Sequence, residues 1–305
     1  MNYTTLNLVN PESSIKYEIT KFPDGQQSLR ILEEPENLRS YAWLSKIERV
    51  DVKSRLASFQ DLELIICATQ ALRELGIKNI SLTVPYVMGA RSDRKFDTGG
   101  INYIRTVIAP IINSQGYESV FVLDPHSDVI EACINNCKVT SNVVFAASQI
   151  HSLVYNEGSG YTSILDKLSI VSPDAGSNKK IKDVMKRVST FNKENKVTLI
   201  KCDKTRELST GKITGFEVFS NDVEGRHCVI VDDICDGGGT FIGLAAKLKD
   251  MGATSVYLVV THGIFSRGVE PLLDFIDGVF TTDSFDHGIE HGKLVIDKCA
   301  FKYYG

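Results

Sequence analysis

From about residue 60 onward the chain repeats one pattern: a stretch with helical spacing of apolar residues, then a short unbroken apolar run ending in polar or glycine-rich residues. That alternation is the mark of an α/β fold built on parallel strands. Gln60 to Leu75 sets Leu62, Leu64, Ile65, Ala68, Leu72 and Leu75 near helical spacing, Gly76 stops it, and Asn79 to Pro85 reads as a strand. Tyr103 to Ser114 is a second predicted helix. The runs SVFVL (119–123), LSIV (168–171), VTLI (197–200), CVIV (228–231) and SVYLVV (255–260) are continuous rather than alternating, as expected of strands covered on both faces. With 305 residues, 43% of them hydrophobic, the chain has material for two cores. The expectation is two doubly wound parallel-sheet domains, residues 1–145 and 146–289, with a tail of about 290–305 returning to the first. Thr140 to Gly160 is the expected passage between them. The first 55 residues read as more β-rich and irregular.

Charge narrows the partners. Lys plus Arg number 34 against 38 Asp plus Glu, a net charge of -4, so no global positive field exists to hold nucleic acid or an anionic membrane. Any bound phosphate must be held locally. No apolar run approaches the roughly 18 residues of a membrane span, and the first residues lack a basic segment leading into an apolar one. Seven cysteines are scattered without a CxxC pair, which points to a reducing, cytoplasmic setting.

In open parallel sheets ligands lie beyond the carboxyl ends of strands, so the residues after each apolar run are the ones to inspect. CVIV leads into Asp232, Asp233, Ile234, Cys235, Asp236, Gly237, Gly238, Gly239 and Thr240, and then the helical FIGLAAKL. Three successive glycines let backbone N–H groups converge on an anion at a helix N-terminus, and the Thr240 hydroxyl adds a donor. Asp232 and Asp233 suit sugar hydroxyls or a shared divalent cation. The loop fits neither GxxxxGK[ST] nor GxGxxG, so the readings those patterns carry do not apply.

These residues resemble the 5-phosphoribosyl 1-pyrophosphate loop of type I phosphoribosyltransferase-like proteins. With five further segments, in order from about Phe22 to Ser284, the chain resembles the ribose-phosphate pyrophosphokinases. Phe22, Pro23, Asp24, Gly25 and Gln26 look like the family's F-x-[DN]-G-E, which there reaches the adenine of ATP on a neighbouring subunit. Pro85–Tyr86 followed by Arg91, Ser92, Asp93 and Arg94 is similar to its ATP segment P-Y-x-x-x-A-R-Q-D-[RK]. Asp124-Pro125-His126-Ser127 resembles D-L-H-[AS], where the histidine approaches ATP and its metal. Ser172-Pro173-Asp174-Ala175-Gly176 looks like S-P-D-x-G, whose carboxylate helps hold magnesium. Asp203-Lys204-Thr205-Arg206 matches the catalytic Lys-x-Arg on a mobile loop, and GKITG (211–215) suits closure.

The resemblance implies transfer of a diphosphoryl group from ATP to the anomeric hydroxyl of ribose 5-phosphate, with Mg2+ as the metal, an active site between the two domains, and assembly into dimers or hexamers. Bottom-up chemistry agrees, because joining two polyanions calls for a metal and basic donors and little covalent machinery. Lys204, Arg206 and His126 are then the catalytic candidates. Phe22, Asp24, Gln26, Arg91, Ser92, Asp93 and His126 are expected to bind ATP, Asp232, Asp233, Asp236 and Gly237 to Thr240 the sugar phosphate, and His126 and Asp174 the metal.

Several departures stand out. Ser92 and Gln26 replace the family's Gln and Glu, which bears on nucleotide preference. Phe96 to Gly100 replaces a longer basic stretch, which bears on inhibition by ADP. Gly237 stands where a hydroxyl residue is usual, so room for a substituted 5-phosphate, as in ADP-ribose and hence NAD salvage, is an alternative reading. A phosphoribosyltransferase and a catalytically silent regulator are two more. The HxxEH of His287 to His291 is set aside as a zinc site because Gly288 and Gly292 are poor helix residues. Cys133 and Cys137, at helical i, i+4 spacing, lack a second ligand pair.

Overall fold

In the computed structural model, residues 3–10, 13–32, 47–156, 167–190, 197–206 and 213–302 are described. The chain divides into two compact units, Met1–Thr140 with Ala300–Gly305, and Ser141–Cys299. The division thus falls five residues before the boundary expected from the sequence, and the returning tail begins at Ala300 rather than near 290. Thr140 to Gly160 is no extended passage: residues Val143–Asn156 form a helix, and 157–160 lie outside the described residues.

The first unit carries a parallel sheet of five strands in the order β1-β4-β5-β6-β7: β1 (Tyr3–Asn7), β4 (Arg49–Lys53), β5 (Asn79–Thr83), β6 (Ser119–Leu123) and β7 (Cys137–Thr140). β2 (Tyr17–Lys21) and β3 (Gln27–Ile31) form a separate antiparallel hairpin. Helix α1 (Phe59–Glu74) starts at a reciprocal capping box. The Ser58 hydroxyl accepts from the Asp61 N–H at 3.2 Å, and Asp61 accepts from the Ser58 N–H at 2.9 Å. It stops where Gly76 turns left-handed, φ 89°, and Ile77 N–H closes on the Leu72 carbonyl. The second predicted helix begins as a π-helical turn, Ile104–Ile108, before α2 (Ala109–Ser114). Cys133 ends the short α3 (Val129–Cys133) and Cys137 begins β7, so the two thiols do not share a helix face.

The second unit holds seven strands in the order β10-β9-β8-β11-β12-β13-β14. Here β8 is Leu168–Ser172, β9 Thr198–Arg206, β10 Ile213–Val218, β11 His227–Cys235, β12 Ser255–Gly263, β13 Gly278–Thr282 and β14 Leu294–Asp297. The helices are α4 (Val143–Asn156), α5 (Asn178–Thr190), α6 (Gly239–Asp250) and α7 (Glu270–Leu273). β8 and β12 are buried along their whole length, which explains their unbroken apolar sequences. Leu244 and Leu248 of α6 and Val256, Leu258 and Val260 of β12 share one core cluster. From β8 the chain proceeds outward to β9 and β10, then returns to the other side of β8 with β11 and continues outward to β14. The strand order reverses between β8 and β11, which places a ligand crevice at their carboxyl ends. Among the described residues of this sheet only β10 runs antiparallel.

One buried charge in the first unit gives a pH signature. Asp51 on β4 accepts from the Thr83 hydroxyl at 3.0 Å and from Tyr3 Oη at 3.3 Å. Burial raises its carboxyl above the usual range, and Thr83, Lys53 and Tyr3 only partly offset this. A raised folded-state pKa means stability is lost as pH climbs through it. Asp51→Asn keeps an acceptor and removes the buried charge, so the melting temperature of the variant relative to wild type should rise between pH 4 and pH 8. A gap that narrows over that range would show that Asp51 carries no such penalty.

Candidate active site

At the end of β8 the chain turns through Pro173 and Asp174 into α5. The Ser177 N–H donates to Asp174 Oδ1 at 3.2 Å, and the Ser172 and Ser177 hydroxyls each donate to the Asp174 carbonyl at 3.0 Å. Lys204 Nζ donates to Asp174 Oδ2 at 2.9 Å. Burial by itself would raise the Asp174 carboxyl; the hydrogen bond and charge of Lys204, with the Ser177 donors, outweigh it and hold the group below the usual carboxylate range. Asp174 is therefore an anion at neutral pH. Lys204 was expected on a mobile loop after a short strand, but it sits within β9, opposite Phe216 of β10. The antiparallel pairing continues the strand past the apolar run that marks it in the sequence. Arg206 ends β9, with its side chain outside the described residues. Of GKITG, residues 211–212 also lie outside them, and Ile213 to Gly215 belong to β10.

Beside β8, strand β11 carries Asp232 and Asp233 within the strand rather than after it, and the strand ends at Cys235. The Asp232 carboxyl is pushed well above the usual range by burial first, then by the charges of Asp233 and Asp174. Asp174 and Asp232 thus lie close enough to feel one another. The glycine loop follows. Gly238 is left-handed, φ 75°, and a Cβ there would meet Leu272 Cδ2 of α7 at 2.9 Å. It caps α6, and its carbonyl accepts from the Phe241 and Ile242 N–H groups at 2.9 and 3.0 Å. Among the described residues no turn or loop carbonyl accepts from the amides of Gly237, Gly239 or Thr240. That leaves donors grouped at the N-terminus of a 12-residue helix, an arrangement suited to an anion.

Sequence reasoning missed Arg267. It lies in the turn after β12, and a Cβ at Gly237 would sit 3.4 Å from its Nε and 3.5 Å from its Cδ. The room expected at Gly237 is lined by this side chain. Nothing in the local sequence links residues 30 apart; only the neighbouring positions of β11 and β12 do.

The remaining candidates belong to the first unit. Gly89, φ 74°, lets the chain turn against Tyr103, and the Tyr103 N–H donates to the Ser92 carbonyl at 2.9 Å. Arg91 is exposed there, with Ser92 and Asp93 half-buried. After β6, buried Asp124 adopts φ 42°, a strained conformation for a non-glycine residue and one that concentrates at functional sites. It is followed by exposed His126. β5 and β6 are parallel neighbours, so the Arg91 and His126 segments leave the same end of the sheet. Phe22, Asp24 and Gln26 form the exposed tip of the β2–β3 hairpin, where the Gln26 N–H donates to Asp24 Oδ1 at 3.1 Å. His287 and His291 lie outside any helix, which closes the zinc reading; their Nδ1 atoms accept from Ile289 and Lys293 N–H groups. Among the described residues no group of three or more His, Cys, Asp or Glu is gathered to hold a metal by itself. No described helix is long and apolar enough to cross a membrane.

A reversal point flanked by an acidic pair and a glycine loop defines an α/β protein of phosphoribosyltransferase-like fold. Residues 171–298 match the family model described as phosphoribosyl synthetase-associated domain. A ribose-phosphate pyrophosphokinase of Maricaulis maris is 30% identical over 259 residues, 84% of this chain and 74% of that protein. One of Hyphomonas neptunium is 29% identical over 269 residues, 88% and 78% of the two chains. The crystal structure of phosphoribosylpyrophosphate synthetase from Mycobacterium smegmatis superposes with a TM-score of 0.76 at 20% identity, covering 98% of this chain and 95% of that one. The chain belongs to the ribose-phosphate pyrophosphokinase family.

The loop geometry separates two neighbouring glycines. Gly238→Ala forces a side chain into a left-handed position and against Leu272, at a cost of about 1–3 kcal/mol. It should lower the melting temperature. Gly239→Ala meets nothing within 4 Å and should melt like wild type. Equal melting temperatures for the two variants would refute this account of the loop.

Proposed function

We propose that the protein transfers the β,γ-diphosphoryl group of ATP to the anomeric hydroxyl of ribose 5-phosphate, giving 5-phosphoribosyl 1-pyrophosphate and AMP. The anomeric oxygen bonds to the β-phosphorus while the bridge from that phosphorus to the α-phosphate oxygen breaks. AMP departs with the bridging oxygen, and the hydroxyl proton is released. The observation that carries the reading is the 2.9 Å pair between Lys204 of β9 and Asp174, which lies in the turn after β8, the strand beside β11 and its glycine loop. It sets a cation and a hard oxygen anion beside the proposed sugar-phosphate site. The Gly237 to Thr240 amides hold the 5-phosphate, Asp232 and Asp233 receive the ribose hydroxyls, and Asp236 completes the loop. Lys204 and Arg206 offset charge developing on the transferred group and on AMP. In the other unit, Arg91, Ser92, Asp93 and His126 serve ATP, with Phe22, Asp24 and Gln26 acting from a neighbouring copy in a dimer or hexamer.

The donor set suits Mg2+. Asp174 and Asp232 are hard oxygen ligands, with the Asp174 charge felt at Asp232, and magnesium is commonly bound by one or two carboxylates plus substrate phosphates. Asp174 would hold it in this unit; within the first unit, His126 is the proposed metal ligand. Bound there, the ion would neutralise phosphoryl oxygens. The names carried by the relatives favour ribose 5-phosphate as acceptor over ADP-ribose, and favour a pyrophosphokinase over a phosphoribosyltransferase or a silent regulator. A cytoplasmic location fits the scattered free thiols.

Two measurements test the reading. The purified protein with ATP, Mg2+ and ribose 5-phosphate, but no nucleobase, should form AMP in proportion to added acceptor; a requirement for nucleobase would identify a phosphoribosyltransferase instead. Lys204→Ala should lower kcat by roughly 10²-fold or more and leave ribose 5-phosphate affinity nearly unchanged. Unchanged turnover would remove Lys204 from the chemistry.

A further inference from the structure

The run from Asp232 to Asp236 carries three carboxylates, and in the same unit Lys204 is engaged by Asp174. A sugar phosphate entering the glycine loop would bring more negative charge to an already acidic strand end. Backbone amides supply donors but no net charge. Arg267 is the cation placed to offset it. No hydrogen bond or ion pair joins its guanidinium to another described residue, and the side chain is exposed.

Its position is fixed by the backbone. The Cys235 carbonyl, which ends β11 immediately before the loop, accepts from the Ile264 and Phe265 N–H groups at 2.8 and 3.2 Å. Phe265 is buried and left-handed, φ 48°, and its ring meets His287 edge-on at 5.1 Å between centroids. Gly268, φ 77°, turns the chain back, and its N–H donates to the Phe265 carbonyl at 2.9 Å. A strained residue and a glycine thus clamp a tight turn onto the end of β11, with Arg267 between them. Strain of this kind persists where the surrounding structure over-determines it. The side chain runs from that turn to Gly237, where the absence of a Cβ admits it at van der Waals distance.

We infer that Arg267 is a phosphate-binding, specificity-determining residue of the sugar-phosphate pocket, its guanidinium pairing with the 5-phosphate across Gly237. The inference rests on the reading of the Asp236–Thr240 loop as the 5-phosphate site. A planar guanidinium forms charge-assisted, bidentate bonds to phosphate that an ammonium cannot reproduce.

The test is direct titration of the full chain with ribose 5-phosphate, accompanied by steady-state kinetics, for wild type, Arg267→Ala and Arg267→Lys. Arg267→Ala should weaken binding by roughly 10- to 100-fold, the range of a hydrogen bond to a charged group. Arg267→Lys should fall between the two, with weaker binding at higher salt in the charged forms. KM for ribose 5-phosphate should rise in step, with kcat at saturation nearly unchanged. The melting temperature should not move, because the side chain is exposed. If wild type binds ribose 5-phosphate and Arg267→Ala binds it equally well, Arg267 has no such role while the loop assignment stands. If wild type itself fails to bind ribose 5-phosphate, the loop assignment fails and takes the inference with it.

Discussion

The reversal of strand order between β8 and β11 is the constraint on which the site depends. Parallel strands deliver all their carboxyl ends to one side, but only where successive crossovers go opposite ways do two such ends leave a crevice unfilled by a connecting helix. β8 delivers Asp174 to that crevice and β11 delivers Asp232, Asp233 and the glycine loop. Had β11 been added beyond β10, the acidic pair and Asp174 would stand several strands apart. The upward push on the Asp232 carboxyl by Asp174 is the electrostatic signature of their being neighbours.

Within the second unit, acidic side chains outnumber the cations placed beside them at this strand end. Asp174 is kept ionised by Lys204, and that anion in turn penalises ionisation of Asp232. A cation brought beside Asp232 would relieve that penalty. The fold around them supplies rigidity. Strands buried on both faces and the packing of Leu272 beneath Gly238 leave the loop little freedom to relax away from its donor-rich form.

Much of this was legible in the sequence because local rules and tertiary structure agree. Unbroken apolar runs marked β6, β8, β11 and β12, and Gly76 marked the end of α1. The boundaries that failed did so for tertiary reasons. β9 runs on through Lys204 because β10 pairs with it antiparallel, and β11 runs on through two aspartates because β12 accompanies it to Cys235. Polar residues in a strand give no periodic signal when the partner strand, rather than side-chain burial, keeps them extended. Val143 to Asn156 was taken as a passage because a helix covering the second unit's sheet and a connecting segment look alike without knowledge of what they pack on. Arg267 was invisible for a different reason: its partner is the missing side chain of Gly237, and absence of an atom has no sequence signature at a distance.

The Lys204–Asp174 pair shows how a strand-borne cation can be both ordered and available. Lys204 is 16% exposed at its side chain and Asp174 33%, so the pair stands at the edge of solvent rather than in the core. An ion pair in that setting is worth little net energy, because water screens it and competes for both partners. A fully buried pair would be costly to break, since each charge would be left without compensation. At the intermediate exposure observed, Asp174 holds the ammonium near the loop without trapping it. A phosphoryl oxygen could take the place of the Asp174 carboxylate on the Lys204 ammonium. Strand β9 keeps the Lys204 backbone fixed during that exchange, so only the side chain has to move.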